Sequence, residues 1–249
     1  MIEIKNICKS FNNNLVLDNI SSKFQSGKIN LIIGKSGSGK TMAIKCMLGL
    51  HVPDKGEVLF SGRNFITMTD KDKRDIRKEI GMVFQGSALF DSMNVEENVM
   101  FPLRMSSDMS LIEMKKRVNF CLDRVDLKGV NNLFPSELSG GMQKRVAIAR
   151  AISLNPKYLF CDEPNSGLDP TTSNVIDSLL QEITYEYNIT TVINTHDMNS
   201  VLQIGDNILL IKDGKNKWSG LNSDLLSSAN KELDSFLFAS KLFVNLKKK

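Results

Sequence analysis

Ile29-Asn30-Leu31-Ile32-Ile33-Gly34-Lys35-Ser36-Gly37-Ser38-Gly39-Lys40-Thr41 is the stretch that decides the fold. Its first five residues, mostly β-branched or apolar, read as a buried strand, and the apolar stretch after Thr41 reads as a helix. Between them lies a Gly-x-x-x-x-Gly-Lys-Thr loop. Its glycines let the backbone wrap tightly, so that successive N–H groups turn inward, and the helix starting near Lys40 adds its positive dipole end. That combination suits phosphate oxygens. The motif predicts that Gly34, Lys35, Ser36, Gly37, Ser38 and Gly39 cradle the phosphates of a nucleotide. Lys40 then reaches the β- and γ-phosphates, and the Thr41 hydroxyl ligates Mg²⁺.

Outward from this loop, further short apolar runs read as buried strands: 58–60, 80–84, 158–161, 191–194 and 208–211. Helical patterns alternate with several of them, which predicts a largely parallel sheet covered by helices. From about Phe90 to Ile152 no strand is evident. Met114, Val118, Leu122 and Val125 recur at helical spacing, Pro102 and Pro135 punctuate the region, and Asn94 with Glu97 fits a reciprocal helix cap. This segment reads as a helical lobe inserted between two parts of the sheet. After about Leu221 the pattern becomes a helical tail ending in three lysines.

The run Tyr158-Leu159-Phe160-Cys161-Asp162-Glu163 supplies a second set of chemical groups. Asp162 emerges at the end of a strand, where it can hold Mg²⁺ through water, and Glu163 is placed to polarise an attacking water. An acidic pair after a strand also fits a simple turn cap; the phosphate loop in the same chain favours the catalytic reading.

Composition narrows the class. The 249 residues, 41% hydrophobic and 24% charged, suit a globular chain with one α/β domain and an inserted lobe. A net charge of +4, with both signs spread along the chain, lacks the basic stripe of a nucleic-acid binder, so none is expected as a partner. Cys8, Cys46, Cys121 and Cys161 form no CxxC pair and no Cys/His cluster, and are expected to be reduced, in a cytoplasmic setting. No run approaches the ~20 apolar residues that cross a bilayer, and the first ten residues do not resemble a signal peptide.

Leu138-Ser139-Gly140-Gly141-Met142, followed by Gln143-Lys144-Arg145, resembles the signature motif of ABC ATPases. The resemblance covers residues 1 to about 220. It implies a P-loop (RecA-like) ATPase core with an N-terminal antiparallel β part and a helical lobe at about 90–152, together an ATPase domain over 1–221 followed by a helical tail over 222–249. It further implies two ATP molecules sandwiched between two copies head to tail, with Ser139, Gly140 and Gly141 facing the γ-phosphate bound by the other copy. Gln85 matches the glutamine that touches Mg²⁺, and Ser166-Gly167-Leu168-Asp169 matches the D-loop. His196 matches the switch histidine, and Phe11 the aromatic residue stacked on adenine. From the residues alone, His196 and Phe11 read equally well as core side chains, and His51 as a surface residue. Met142 and Asn165 stand where Gln and Thr are usual.

The segment GMVFQGSALFDSMNVEENVMFPL, with LSGGMQKRVAIARAI, is similar to Mla-type (MCE-associated) phospholipid transport ATPases. That similarity implies an integral membrane permease and an MCE-type lipid-binding protein as partners, and a place on the inner face of the cell membrane. Phe90, Met93, Phe101 and Leu103 then offer the apolar side of a groove for the permease, or else pack the lobe. Import of amino acids or metals, and a division-associated ATPase, are the alternatives. For the tail, Phe236, Phe238, Leu242 and Phe243 suit either a latch onto a partner or a fold back onto the chain's own domain.

Overall fold

The computed structural model describes residues 1–12 and 14–237. Ten strands are present among them: β1 Ile2–Phe11, β2 Asn14–Phe24, β3 Lys28–Ile33, β4 Lys55–Phe60, β5 Arg63–Asn64, β6 Ile80–Val83, β7 Tyr158–Asp162, β8 Thr190–Thr195, β9 Asn207–Lys212 and β10 Lys215–Leu221. The helices are α1 Lys40–Met47, α2 Asp70–Lys78, α3 Val95–Ser106, α4 Leu111–Arg124, α5 Gly140–Ile152, α6 Pro170–Glu186, α7 Met198–Ile204 and α8 Lys231–Leu237. The chain gathers into two units, one of Met1–Lys73 with 190–237 of the described residues, the other of Arg74–Ile189.

In the first unit, β3 carries the core. Ile29, Leu31, Ile32 and Ile33 are buried on both faces, as a central parallel strand requires. It pairs in parallel with β8, Ile33 opposite Thr195, and with β9, Ile33 opposite Leu210. Asn30 is the buried exception, and its amide is satisfied by the carbonyls of Gln25, Lys28 and Thr191. A second, antiparallel sheet runs in the order β2-β1-β4-β5.

Strands β1 and β2 are not among the apolar runs found in the sequence, for a physical reason. Asn6 and Asn19 adopt left-handed backbone angles, with φ of 50° and 55°, and the β1–β2 register shifts after Ile4. Each bulge interrupts the period of two on which strand recognition depends. β10 is missing for a different reason: no residue along it is buried, so it carries no apolar pattern.

In the second unit, β6 and β7 run parallel, Ile80 opposite Tyr158 and Val83 opposite Cys161. A Cβ on Gly81 would meet the Ala151 carbonyl oxygen at 2.4 Å, so glycine lets α5 lie directly on β6. Over 90–152 the described elements are helical. Asn94 and Glu97 form the reciprocal cap of α3, and Ser110 and Glu113 repeat it on α4. Pro102 does not end α3; the helix continues through it to Ser106. Pro135 instead opens a short 3₁₀ turn.

Beyond β10, α8 is capped by Asn230, whose side chain accepts from the N–H groups of Glu232 and Leu233. Leu233 and Leu237 are fully buried, Phe236 is half-buried, and Lys212 bridges to Glu232 at 2.5 Å. This part of the tail folds back on its own unit. Phe238, Leu242, Phe243 and the terminal lysines lie outside the described residues.

Candidate active site

Each unit brings its chemistry to the carboxyl end of paired parallel strands, where α/β proteins bind ligands. In the first unit the phosphate loop follows β3 and His196 follows β8, so the two leave from the same edge. Gly34 has φ of 150°, and a Cβ there would meet the Ile211 carbonyl oxygen at 2.2 Å. No other residue fits. Gly39 caps α1, and Ser38 N–H closes a turn on the Lys35 carbonyl at 3.1 Å.

Lys40 is buried, and its ammonium donates to the carbonyls of Gly34 at 2.9 Å and Lys35 at 3.1 Å. The cation thus sits over the loop that the sequence assigns to phosphate. The buried Ser38 hydroxyl has no hydrogen-bond partner among the described residues. An unmatched buried hydroxyl is costly, and an anion in the loop would satisfy it. Thr41 Oγ1 accepts from Asn194 Nδ2 at 3.2 Å, a contact that the sequence did not suggest.

Two alternatives left open by the residues are now removed. His196 is exposed rather than a core histidine, and Phe11, 38% exposed, is not a core side chain. The Phe11 ring stands edge-on to His51 with centroids 5.3 Å apart, and the Lys9 ammonium lies 5.3 Å from its centre. His51 is accordingly half-buried against an aromatic neighbour rather than a plain surface residue.

In the second unit Gln85 follows β6, while Asp162 ends β7 and Glu163 follows it. The Gln85 amide donates to Glu163 Oε2 at 3.2 Å and to Ser166 Oγ at 3.4 Å. Glu163 itself has a left-handed φ of 47°, a strained backbone angle for a side chain of this size. Asp169 caps α6, accepting from Thr171 and Thr172 N–H at 3.0 Å, with Pro170 in the first helical position. The Thr172 hydroxyl and N–H hold the Asp169 carboxyl below the usual carboxylate range. Ser139 caps α5 by accepting from Met142 N–H at 3.3 Å, which leaves the first N–H groups of the helix facing outward beside exposed Gly140 and half-buried Gly141.

Two cations of α5 complete this half. The Lys144 ammonium donates to the Gln85 carbonyl, and Arg150 donates to the carbonyls of Ser87 at 2.7 Å and Ala88 at 2.8 Å. Burial pushes the Lys144 pKa down, against the pull of Cys161 and Glu163. Neither residue was singled out from the sequence. The available signal was helical spacing, which places Lys144 on one face with Ile148 and Ala151, where a lysine is out of character.

The thiols of Cys46, Cys121 and Cys161 are buried, and burial raises their pKa, to about 11 for Cys46 and Cys121. They behave as core residues. Leu103 is fully buried and therefore packs the lobe, whereas Phe90 and Phe101, with ring centres 4.8 Å apart, line a cavity of about 380 Å³ with Ile80, Met82, Phe84 and Arg150. Met93 is not among its lining residues. Among the described residues, no three His, Cys, Asp or Glu side chains cluster into a metal centre of their own. Within the first unit the Thr41 hydroxyl, and within the second the Gln85 amide oxygen and the Asp162 carboxylate, are hard oxygen donors of the kind that Mg²⁺ prefers.

A sequence profile described as "ABC transporter" matches residues 17–166, more than half of the chain. The chain belongs to the ABC transporter family. It is 37% identical over 237 residues to the intermembrane phospholipid transport system ATP-binding protein MlaF of Haemophilus influenzae, across 95% of this chain and 90% of that one. It is also 40% identical over 237 residues to the methionine import ATP-binding protein MetN of Clostridium acetobutylicum, across 95% of this chain and 74% of that one. Its fold matches a dimeric ATP-binding cassette in a post-hydrolysis state with ADP and Pi, at a TM-score of 0.82 and 33% identity, covering 89% of this chain and 99% of that one. As an ABC ATPase, the chain hydrolyses ATP to ADP and phosphate for transport. No described helix is long and apolar enough to cross a membrane.

Proposed function

We propose that this ABC ATPase drives phospholipid transport, working as a head-to-tail pair of copies on a membrane permease at the inner face of the cell membrane, with an MCE-type protein in the same assembly. The observation that carries the reading is the similarity to the H. influenzae phospholipid transport protein over 95% of the chain. The Gly86-Ser87-Ala88-Leu89-Phe90 stretch and the LSGGM form of the signature add to it. The similarity to a methionine importer supports a second reading, amino-acid import.

In the proposed cycle, the loop 34–41 holds the phosphates and Phe11 stacks on adenine. Lys40 and the turn 139–141 of the second copy neutralise the γ-phosphate, so ATP closes the pair. Glu163 takes a proton from the attacking water as its oxygen approaches the γ-phosphorus, while Gln85 and His196 stabilise the charge that develops. Thr41, Gln85 and Asp162 would hold Mg²⁺, which would supply further charge neutralisation. Hydrolysis removes the contacts shared by the two copies, and the pair opens. The cavity edged by Phe90 and Phe101 receives an apolar helix of the permease. Phe90→Ala removes one ring pair, a cost to stability of roughly 1 kcal/mol, and is expected to leave ATP affinity within about twofold while abolishing transport. A matching loss of ATP affinity would instead make Phe90 a packing residue of the ATPase.

The deciding experiment purifies tagged Glu163→Gln from its own membranes in mild detergent with ATP, followed by mass spectrometry of bound proteins and lipids. A multi-span permease with an MCE-type protein and enriched phospholipid supports lipid transport. A permease with a soluble amino-acid-binding protein replaces the cargo, and a division protein replaces transport.

A further inference from the structure

Lys144 is 5% exposed and lies on the buried face of α5. A buried ammonium is expensive unless it is paired, and pairing usually means a carboxylate. Here Cys161 and Glu163 act on it electrostatically, but its described hydrogen bond goes to a backbone carbonyl, that of Gln85, 59 residues earlier in the chain. The same residue's side chain reaches Glu163 Oε2 at 3.2 Å. Gln85 is therefore held at its backbone by α5 and touches the proposed general base with its amide.

The next carbonyls along this loop, Ser87 and Ala88, are held by Arg150 of the same helix. Both residues have left-handed φ values, 62° and 48°, so the loop does not rest in this shape by local preference. Arg150 fixes the far end of the loop. Lys144 fixes the end that bears the functional side chain.

We propose that Lys144 is a positioning residue for hydrolysis: its ammonium, seated on the Gln85 carbonyl, sets the backbone from which the Gln85 amide reaches the Glu163 carboxylate. Because α5 begins at the turn 139–141, the residue also ties that turn to Gln85 within one unit. This inference rests on the proposed roles of Gln85 and Glu163.

Steady-state ATP hydrolysis by the full chain tests it, with Lys144→Met and Lys144→Arg made in the wild-type and Gln85→Ala backgrounds and urea midpoints measured alongside. Lys144→Met is expected to lower kcat about tenfold, as a small misplacement of a catalytic group does, with KM for ATP within twofold. Lys144→Arg should recover at least half of the lost rate. In the Gln85→Ala background, Lys144→Met should cost less than twofold. Equal losses in both backgrounds, a wild-type kcat, or failure of arginine to rescue would overturn the proposal. If the methionine variant does not fold, Lys144→Ala, which also removes the donor, is judged by the same criteria. A wild-type rate in Gln85→Ala alone removes the underlying role of Gln85; a slow Gln85→Ala beside a normal Lys144→Met removes only the role of Lys144.

Discussion

The phosphate loop of the first unit and the glutamine loop of the second answer the same structural problem in opposite ways. Both follow a buried strand of a parallel pair and must hold an irregular backbone in place. The phosphate loop does so largely with its own residues, joined by one distant backbone bond from the Gly214 N–H to the Ser38 carbonyl at 3.1 Å. Its left-handed positions, 34, 37 and 39, are glycines, and Lys40 reaches back only five and six residues to its carbonyls. In the glutamine loop, Ser87 and Ala88 take left-handed angles without being glycine, each at a cost of roughly 1 kcal/mol or more. What offsets that cost comes from 59 to 63 residues away, through Lys144 and Arg150. The first loop is held mainly from within, whereas the second adds to its one local turn bond, from the Ser87 N–H to the Phe84 carbonyl at 2.9 Å, three bonds from α5. A loop of the second kind suits a part that must respond to a neighbour.

The comparison can be broken most sharply at the chemistry. Glu163→Gln should slow ATP turnover by about 10²- to 10⁴-fold, the range for loss of a general base, while ATP still binds and closed pairs accumulate in sedimentation experiments. Near-normal turnover would remove the second unit's catalytic role. Lys40→Ala should weaken ATP binding about 100-fold, from the loss of one or two charge-assisted hydrogen bonds at 1.5–3 kcal/mol each. Equilibrium binding of a fluorescent ATP analogue measures this directly.

Stability variants then separate the two ways of holding a loop. Arg150→Met should cost about 3 kcal/mol in urea unfolding, because one buried and one part-buried carbonyl lose their charged donor, with ATP affinity changed less than twofold. A parallel loss of ATP affinity would show that the glutamine loop also shapes the nucleotide site. Ala88→Gly should have the smallest effect, a gain below about 1 kcal/mol, since relief of the left-handed strain outweighs the added freedom of the unfolded chain only slightly. A clear loss of stability there would mean that the Ala88 methyl packs rather than strains.

Much of this was open to a reading of residues, and the division follows the range of the forces involved. Within the sequence, Gly34 to Thr41, the strand run ending in Asp162 and the Asn94–Glu97 cap each bind or satisfy groups a few residues away. Spacing alone was therefore enough to find them. The missing strands β1 and β2 show where pattern fails, since two left-handed asparagines shift the period that would reveal them. Tertiary structure alone decided that Leu103 packs inward while Phe90 and Phe101 edge a cavity, and that His196 and Phe11 are exposed. It also decided that Asn194 meets Thr41 and that Lys144 and Arg150 hold residues 85–88. Those contacts join groups some 60 to 150 residues apart, and no local preference records which carbonyl a distant cation will find.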